Sequence, residues 1–133
     1  MAEHVSTLRS RLVVAGAAAA IECWTQVFGA REVERYAAPD GSIVHAELAI
    51  GDSRIATKDE DDADRAPSSL GGTPVLLMLE VDDVDALGER MVDAGGTVVY
   101  PIADREGESR GGRLRDPFGH EWMISQRAAA DAS

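Results

Sequence analysis

A chain of 133 residues with 44% apolar content is long enough to bury one compact core, and its single cysteine excludes a disulfide framework or a cysteine-rich zinc site. A formal net charge of −11, with Lys58 the sole lysine, excludes the clustered basic surface that nucleic-acid phosphates require. No apolar run approaches the roughly 20 residues of a membrane span, and the opening MAEHVSTLRS lacks a basic-then-apolar leader. A soluble, cytoplasmic protein without membrane or nucleic-acid partners is expected.

Residues Leu8 to Val14, LRSRLVV, alternate as a strand, with Leu8, Leu12 and Val14 on one face and Arg9, Arg11 and Val13 on the other. Ala17 to Phe28 follows as a helix whose apolar positions Ala20, Trp24, Val27 and Phe28 recur at helical spacing, and Gly29 supplies the left-handed stop. Cys23 lies inside this apolar pattern and reads as core filling rather than a nucleophile. REVERYAA, SIVHAELAI and SRIAT then give three strands punctuated by the turn Pro39-Asp40-Gly41 and by Gly51. The order is βαβββ.

The second half repeats that order. PVLLMLEV is a strand, DDVDALGERMVDAG a helix with Val84, Leu87 and Met91 inward and Asp82 or Asp83 as its cap, TVVYPI a strand, and GGRLRD with EWMISQ a hairpin around DPFGH. Val14 and Gly51 lie 37 positions apart, Val81 and Gly119 38 apart, which points to an internal duplication. The boundaries expected are a first module over 7–58, an acidic then Pro/Gly-rich linker over 59–72, a second module over 73–127 and a disordered tail over 128–133. The acidic run KDEDDADR reads as a solvated loop, and an acidic surface favours cationic small molecules on encounter.

Paired βαβββ units, with AAIECWTQVFGAREVERY, PDGSIVHAELAIGDS and RLRDPFGHEWMIS as their most specific stretches, resemble the vicinal oxygen chelate superfamily, in particular a glyoxalase/bleomycin-resistance subgroup that includes PhnB-like proteins. The resemblance implies an α+β fold of two tandem modules forming cupped mixed sheets, with helices on the convex face. In metal-binding relatives, ligands come from the first and last strands of each unit. Anchored on Val14, Val81, Gly51 and Gly119, those places fall on Arg9, Leu76, Ile55 and Met123. A guanidinium and two hydrocarbons carry no free lone pair, and a thioether is a soft donor, so no metal and no cofactor is expected.

Alternation places Val44, Ala46, Leu48 and Ile50 against the core, and Ile43, His45, Glu47 and Ala49 in the cup. With Arg9, Arg11, Ile55, Thr57, Leu76, Met78, Glu80, Tyr100 and Met123, these give a mixed ligand-binding lining in which an Arg–Glu pair is equally natural as a simple structural contact. If Met123 faces the cup, Glu121 and Ser125 do so too, and Trp122 and Ile124 pack on the helices. Arg54 falls on the nominal core face and conflicts with the register assigned to its strand. His120 reads as a hydrogen-bonding brace, Phe118 reads either way, and Tyr36 belongs at the cup mouth.

The function expected is that of a metal-free binder of the bleomycin-resistance type that sequesters an amphiphilic, antibiotic-like ligand, and the resemblance implies a homodimer in which modules of two chains complete each cup. The alternative is a lyase or isomerase using His45 with Glu47 or Glu80, with or without a divalent ion held by those residues and Glu121. A partner-binding module with no ligand is the third.

Overall fold

The computed structural model describes residues 3–128, so most of the tail expected over 128–133 lies outside the described residues. Strands β1 (Arg11–Val14), β2 (Arg31–Ala37), β3 (Ile43–Ile50) and β4 (Ser53–Asp59) form one sheet in the order β1-β4-β3-β2, and helix α1 (Ala17–Phe28) links β1 to β2. After a four-residue helix α2 (Pro67–Leu70), strands β5 (Leu76–Val81), β6 (Thr97–Arg105), β7 (Glu108–Arg115) and β8 (Glu121–Gln126) repeat the order as β5-β8-β7-β6, with α3 (Val84–Asp93) in the place of α1. In each sheet the first strand runs parallel to the last and the other pairs are antiparallel.

The duplication extends to how each helix is started. Val14 pairs with Asp59 as Val81 pairs with Gln126. Each of those strand-end side chains then accepts from the helix that follows its partner strand: Asp59 Oδ1 from the Gly16 and Ala17 N–H at 2.9 and 2.7 Å, Gln126 Oε1 from the Val84 N–H at 3.1 Å. The left-handed backbone of Gly16, φ 99°, lets two successive N–H groups turn onto one carboxylate. Asp83 adds a conventional N-cap to α3 by accepting from Ala86 N.

One core joins both modules. Trp24, Val27, Val84, Met91, Leu114 and Trp122 are fully buried in it, with Leu12, Val14, Ala46 and Leu48 from the first sheet. Trp24 of α1 meets Trp122 of β8 edge-on, ring centroids 6.1 Å apart, so the first helix packs on the second sheet. Both indole N–H groups donate to Asp116 Oδ2, at 3.0 and 2.9 Å, while Asp116 Oδ1 accepts the backbone N–H of Phe118 and His120. The DPFGH turn therefore carries a buried carboxylate with four donors. Phe118 packs partly buried against Trp24, and His120 reaches across the modules to donate from Nε2 to Val13 O at 2.9 Å. The brace expected of His120 exists, but it ties the turn to β1 rather than to its own hairpin.

Several expectations need correction. β1 begins at Arg11, leaving Leu8 92% exposed, because the backbone pairing with β4 begins at Ser10 O. The β2–β3 register skips Val44, and this bulge turns Ile43 into the core and Val44 outward, reversing the faces assigned to both. The acidic run is not simply a solvated loop: Lys58 is buried, and its ammonium donates to Asp61 and Asp64 at 2.7 and 2.5 Å. Helix α2, capped by the left-handed Gly71, stands inside the segment read as a linker.

Candidate functional site

Each sheet packs one face on the core and leaves the other open. On the first sheet the open face is fixed by pairing: Ala56 stands between Arg11 of β1 and Glu47 of β3, with Arg54 beside Ala49 on the next row and His45 beside Tyr36 on the row above. The Glu47 carboxylate, buried on this face, is bridged by Arg9 and by Arg54, the latter at 3.5 Å. Arg11 donates to Val44 O at 2.7 Å. His45 lies 3.8 Å from Glu34 and stacks against Tyr36, not against Glu47.

The same pairing moves two residues off this face. Ile55 sits opposite Leu48 and Thr57 opposite Ala46, so both belong to the core side; Thr57 is fully buried and donates to Leu12 O at 2.7 Å. Gly51 and Gly119 do not occupy equivalent places before β4 and β8. Matched through the parallel pairs, the counterpart of Met123 is Ala56, one residue beyond Ile55, because the turn before β8 is longer than the turn before β4. Arg54, which resisted assignment in the sequence, falls naturally on the open face once that shift is made.

On the second sheet the open face carries Leu76, Met78 and Glu80 of β5, Glu121, Met123 and Ser125 of β8, Arg113 and Arg115 of β7, and Tyr100 of β6. Glu121 is held by Arg115 at 3.1 Å and Arg113 at 3.5 Å, and the Arg113 guanidinium lies over the Tyr100 ring, 4.9 Å from its centroid. Trp122 and Ile124 are buried on the core side, as alternation predicts. Met78 is 79% exposed, Tyr100 52% and Leu76 37%, an unusual density of large apolar side chains on one open sheet face. Arg54, Arg113 and Arg115 were not expected at the site; the one-residue shift and the Arg/Leu alternation of GGRLRD were the available signals.

On the correspondence that the resemblance implies, the four ligand places fall on Arg9, Ala56, Leu76 and Met123 once this shift is made. A guanidinium, a methyl group, a branched hydrocarbon and a thioether do not make a coordination set for a hard or borderline divalent ion. Nor are His45, Glu47, Glu80 and Glu121 gathered: no group of three or more His, Cys, Asp or Glu side chains with metal-holding proximity occurs among the described residues. Cys23, buried beside Asp116, has its thiol pushed up to about 11 by burial and by that carboxylate, which suits core filling and not nucleophilic chemistry.

Two further concavities flank the sheets, one of them reaching Arg11 at the edge of the open face. One of about 360 Å³ runs along β1 under the linker, lined by Arg11, Leu12, Pro67, Leu70, Val75 and His120. The other, about 510 Å³, lies between α3 and β6. An open sheet face becomes an enclosed site only when another surface stands opposite it.

Two tandem βαβββ units with parallel outer pairs define the paired-module class of the vicinal oxygen chelate fold. The chain belongs to the Glyoxalase/Bleomycin resistance protein/Dioxygenase superfamily, whose model matches residues 3–124. It is 40% identical over 124 residues to the uncharacterized protein Rv0887c of Mycobacterium tuberculosis, covering 90% of this chain and 73% of that one. Among solved structures it is similar to TioX from Micromonospora sp. ML1, at TM-score 0.70 and 28% identity over 94% of this chain and 98% of that one. The fosfomycin resistance protein FosX from Listeria monocytogenes, complexed with Mn(II) and sulfate, shares the fold at TM-score 0.71 and 18% identity, covering 95% of this chain and 94% of that chain.

No helix among the described residues is long and apolar enough to cross a membrane.

Proposed function

We propose that this chain is a metal-free small-molecule-binding protein of the bleomycin-resistance type, which sequesters an amphiphilic, antibiotic-like ligand in a cup completed by a second copy of itself. The observation that carries this reading is the character of the two open faces: guanidinium and carboxylate groups on the first, and Met78, Met123, Leu76 and Tyr100 on the second. Such a lining offers polar handles and apolar area together and lacks a set of donors for a divalent ion. Within it, Arg9, Arg11, His45, Glu47 and Glu80 supply the polar contacts and the thioethers and Tyr100 the apolar ones. Resistance function in structural relatives such as FosX makes an antibiotic the ligand to test first.

A thermal-shift screen against a diverse antibiotic panel is expected to yield compounds that raise the melting temperature, since a ligand bound only by the folded state stabilises it. Calorimetry with such a compound should give one ligand per chain and no product after prolonged incubation. Product formation, or near-stoichiometric metal in protein purified without chelator, would replace this reading with the catalytic one. His45 favours the catalytic reading to the extent that it stands on the open face beside a carboxylate, Glu34. In that case His45→Gln abolishes turnover and spares binding.

A further inference from the structure

We infer that the cup selects an anionic ligand, with Arg9, Arg11 and Arg54 receiving a carboxylate, sulfonate or phosphonate group against the first sheet. The inference rests on the binding reading above and adds the charge of the ligand to it. It runs opposite to the bias that the overall charge of −11 imposes on encounter.

The three guanidinium groups share one sheet face. Arg11 lies beside Ala56, Arg54 beside Ala49, and both Arg9 and Arg54 bridge to Glu47. Glu47 is the carboxylate that Arg9 and Arg54 share, and it is buried, with 10% of its side chain exposed; Arg9 and Arg54 remain 50% and 48% exposed. A single carboxylate does not satisfy three cations. Arg11 donates to a backbone carbonyl, Val44 O, and forms no ion pair among the described residues. The neighbouring acid on this face, Glu34 of β2, pairs with Glu47 and lies 3.8 Å from His45, Arg31 stands opposite Ala49 as a further guanidinium, and the Lys58 charge is met by Asp61 and Asp64.

Shape supports the same assignment. Ala56 lies between Arg11 and Glu47, and Ala49 between Arg54 and Arg31, so the side chains rising from the sheet among these groups are methyl-sized. Guanidinium forks match the two-oxygen edge of a carboxylate or the face of a sulfonate or phosphonate, and a half-exposed fork keeps donors free for it. With the second sheet's open face from another copy standing opposite, the ligand body lies against Met78, Met123 and Tyr100. The densest acidic run lies elsewhere, from Asp59 to Asp64, and at physiological ionic strength its reach is limited to about 8 Å.

Two aromatic dyes of opposite charge test this with the full chain: 8-anilino-1-naphthalenesulfonate, an anion, and thioflavin T, a cation, each titrated by fluorescence and calorimetry. The sulfonate should bind saturably at one per chain and thioflavin T at least tenfold more weakly. Arg11→Gln and Arg54→Gln should each weaken the sulfonate about tenfold, the loss expected for a hydrogen bond to a charged group. Arg110→Gln, an equal change in net charge at a residue paired with Asp85, should leave it unchanged. Melting curves of each variant separate lost binding from lost folding, and if Arg54→Gln fails to fold, Arg11→Gln alone decides. Tighter binding of thioflavin T, or sulfonate binding indifferent to both arginines, would overturn anion selection and leave the ligand-binding reading standing. Saturable binding of neither dye would remove both.

Discussion

Asp116 shows how much a single carboxylate organises here. Two indole N–H groups and two backbone N–H groups converge on it, 3% of the residue is exposed, and one of the indoles comes from 92 positions away in the chain. Its removal leaves buried donors without partners, each costing the desolvation it no longer recovers. Asp116→Ala is therefore expected to lower unfolding stability by about 3–5 kcal/mol in urea titrations, among the largest single-site effects available to this chain. Asp116→Asn should fall between, since its amide keeps one acceptor and turns an N–H toward the indoles. Loss of under about 1 kcal/mol in the alanine variant would show the cluster to be dispensable. The sequence makes DPFGH legible as a turn because Pro and Gly punctuate it, and makes Trp24 and Trp122 legible as core through period and parity. That both indoles end on one oxygen was not legible, because the contact joins a helix of one module to a strand of the other and no local pattern encodes it.

The elements themselves were readable almost throughout, and β4 shows where the reading ran out. SRIAT is strand-like at any register, and a one-residue slip exchanges its faces. Anchoring on Gly51 chose the wrong parity and placed Ile55 and Thr57 in the cup; pairing with Leu48 and Ala46 puts them in the core. Arg54 was the clue, since a guanidinium on a core face is costly. Val44 illustrates the same limit, because a bulge resets parity without a sequence mark of its own. Past β4 the chain enters the acidic run, where Lys58 is clasped by Asp61 and Asp64. The Asp61 carboxyl is held down at about 2, from 3.8, chiefly by the hydrogen bond from the Lys58 ammonium and then by the backbone N–H of Asp64. A carboxyl depressed in the folded state contributes stability in full above its unfolded pKa and loses it as pH falls through the folded one. Thermal melts should accordingly show wild type above Asp61→Asn at pH 5–7, with the two curves converging as pH falls from about 4 toward 2. Parallel curves across that range would mean that the clasp adds nothing to folding.

At the scale of the whole molecule, charge and apolar surface pull association in opposite directions. Each chain carries −11, so two copies repel at long range, while each leaves Met78, Tyr100 and Leu76 on an open sheet face that an opposing copy would cover. Repulsion between net charges is screened by salt, with a Debye length near 30 Å at about 0.01 M and near 3 Å at about 1 M, whereas burial of thioether and aromatic surface is not. Self-association is thus expected to strengthen with added salt. Sedimentation velocity should show the dimer fraction at fixed protein concentration rising as sodium chloride is raised from about 0.01 to about 0.5 M. Met78→Asp, which places a further carboxylate on the apolar half of the site, should weaken the dimer at every salt concentration and most at the lowest. At protein concentrations where the dimer is already complete, binding of the anionic dye should move the other way, weakening with salt, because it depends on local guanidinium contacts. Opposite salt slopes for the two equilibria are the signature of a cup whose own charge differs in sign from that of the protein around it. A monomer at all salt concentrations would mean that a second copy does not close the open faces.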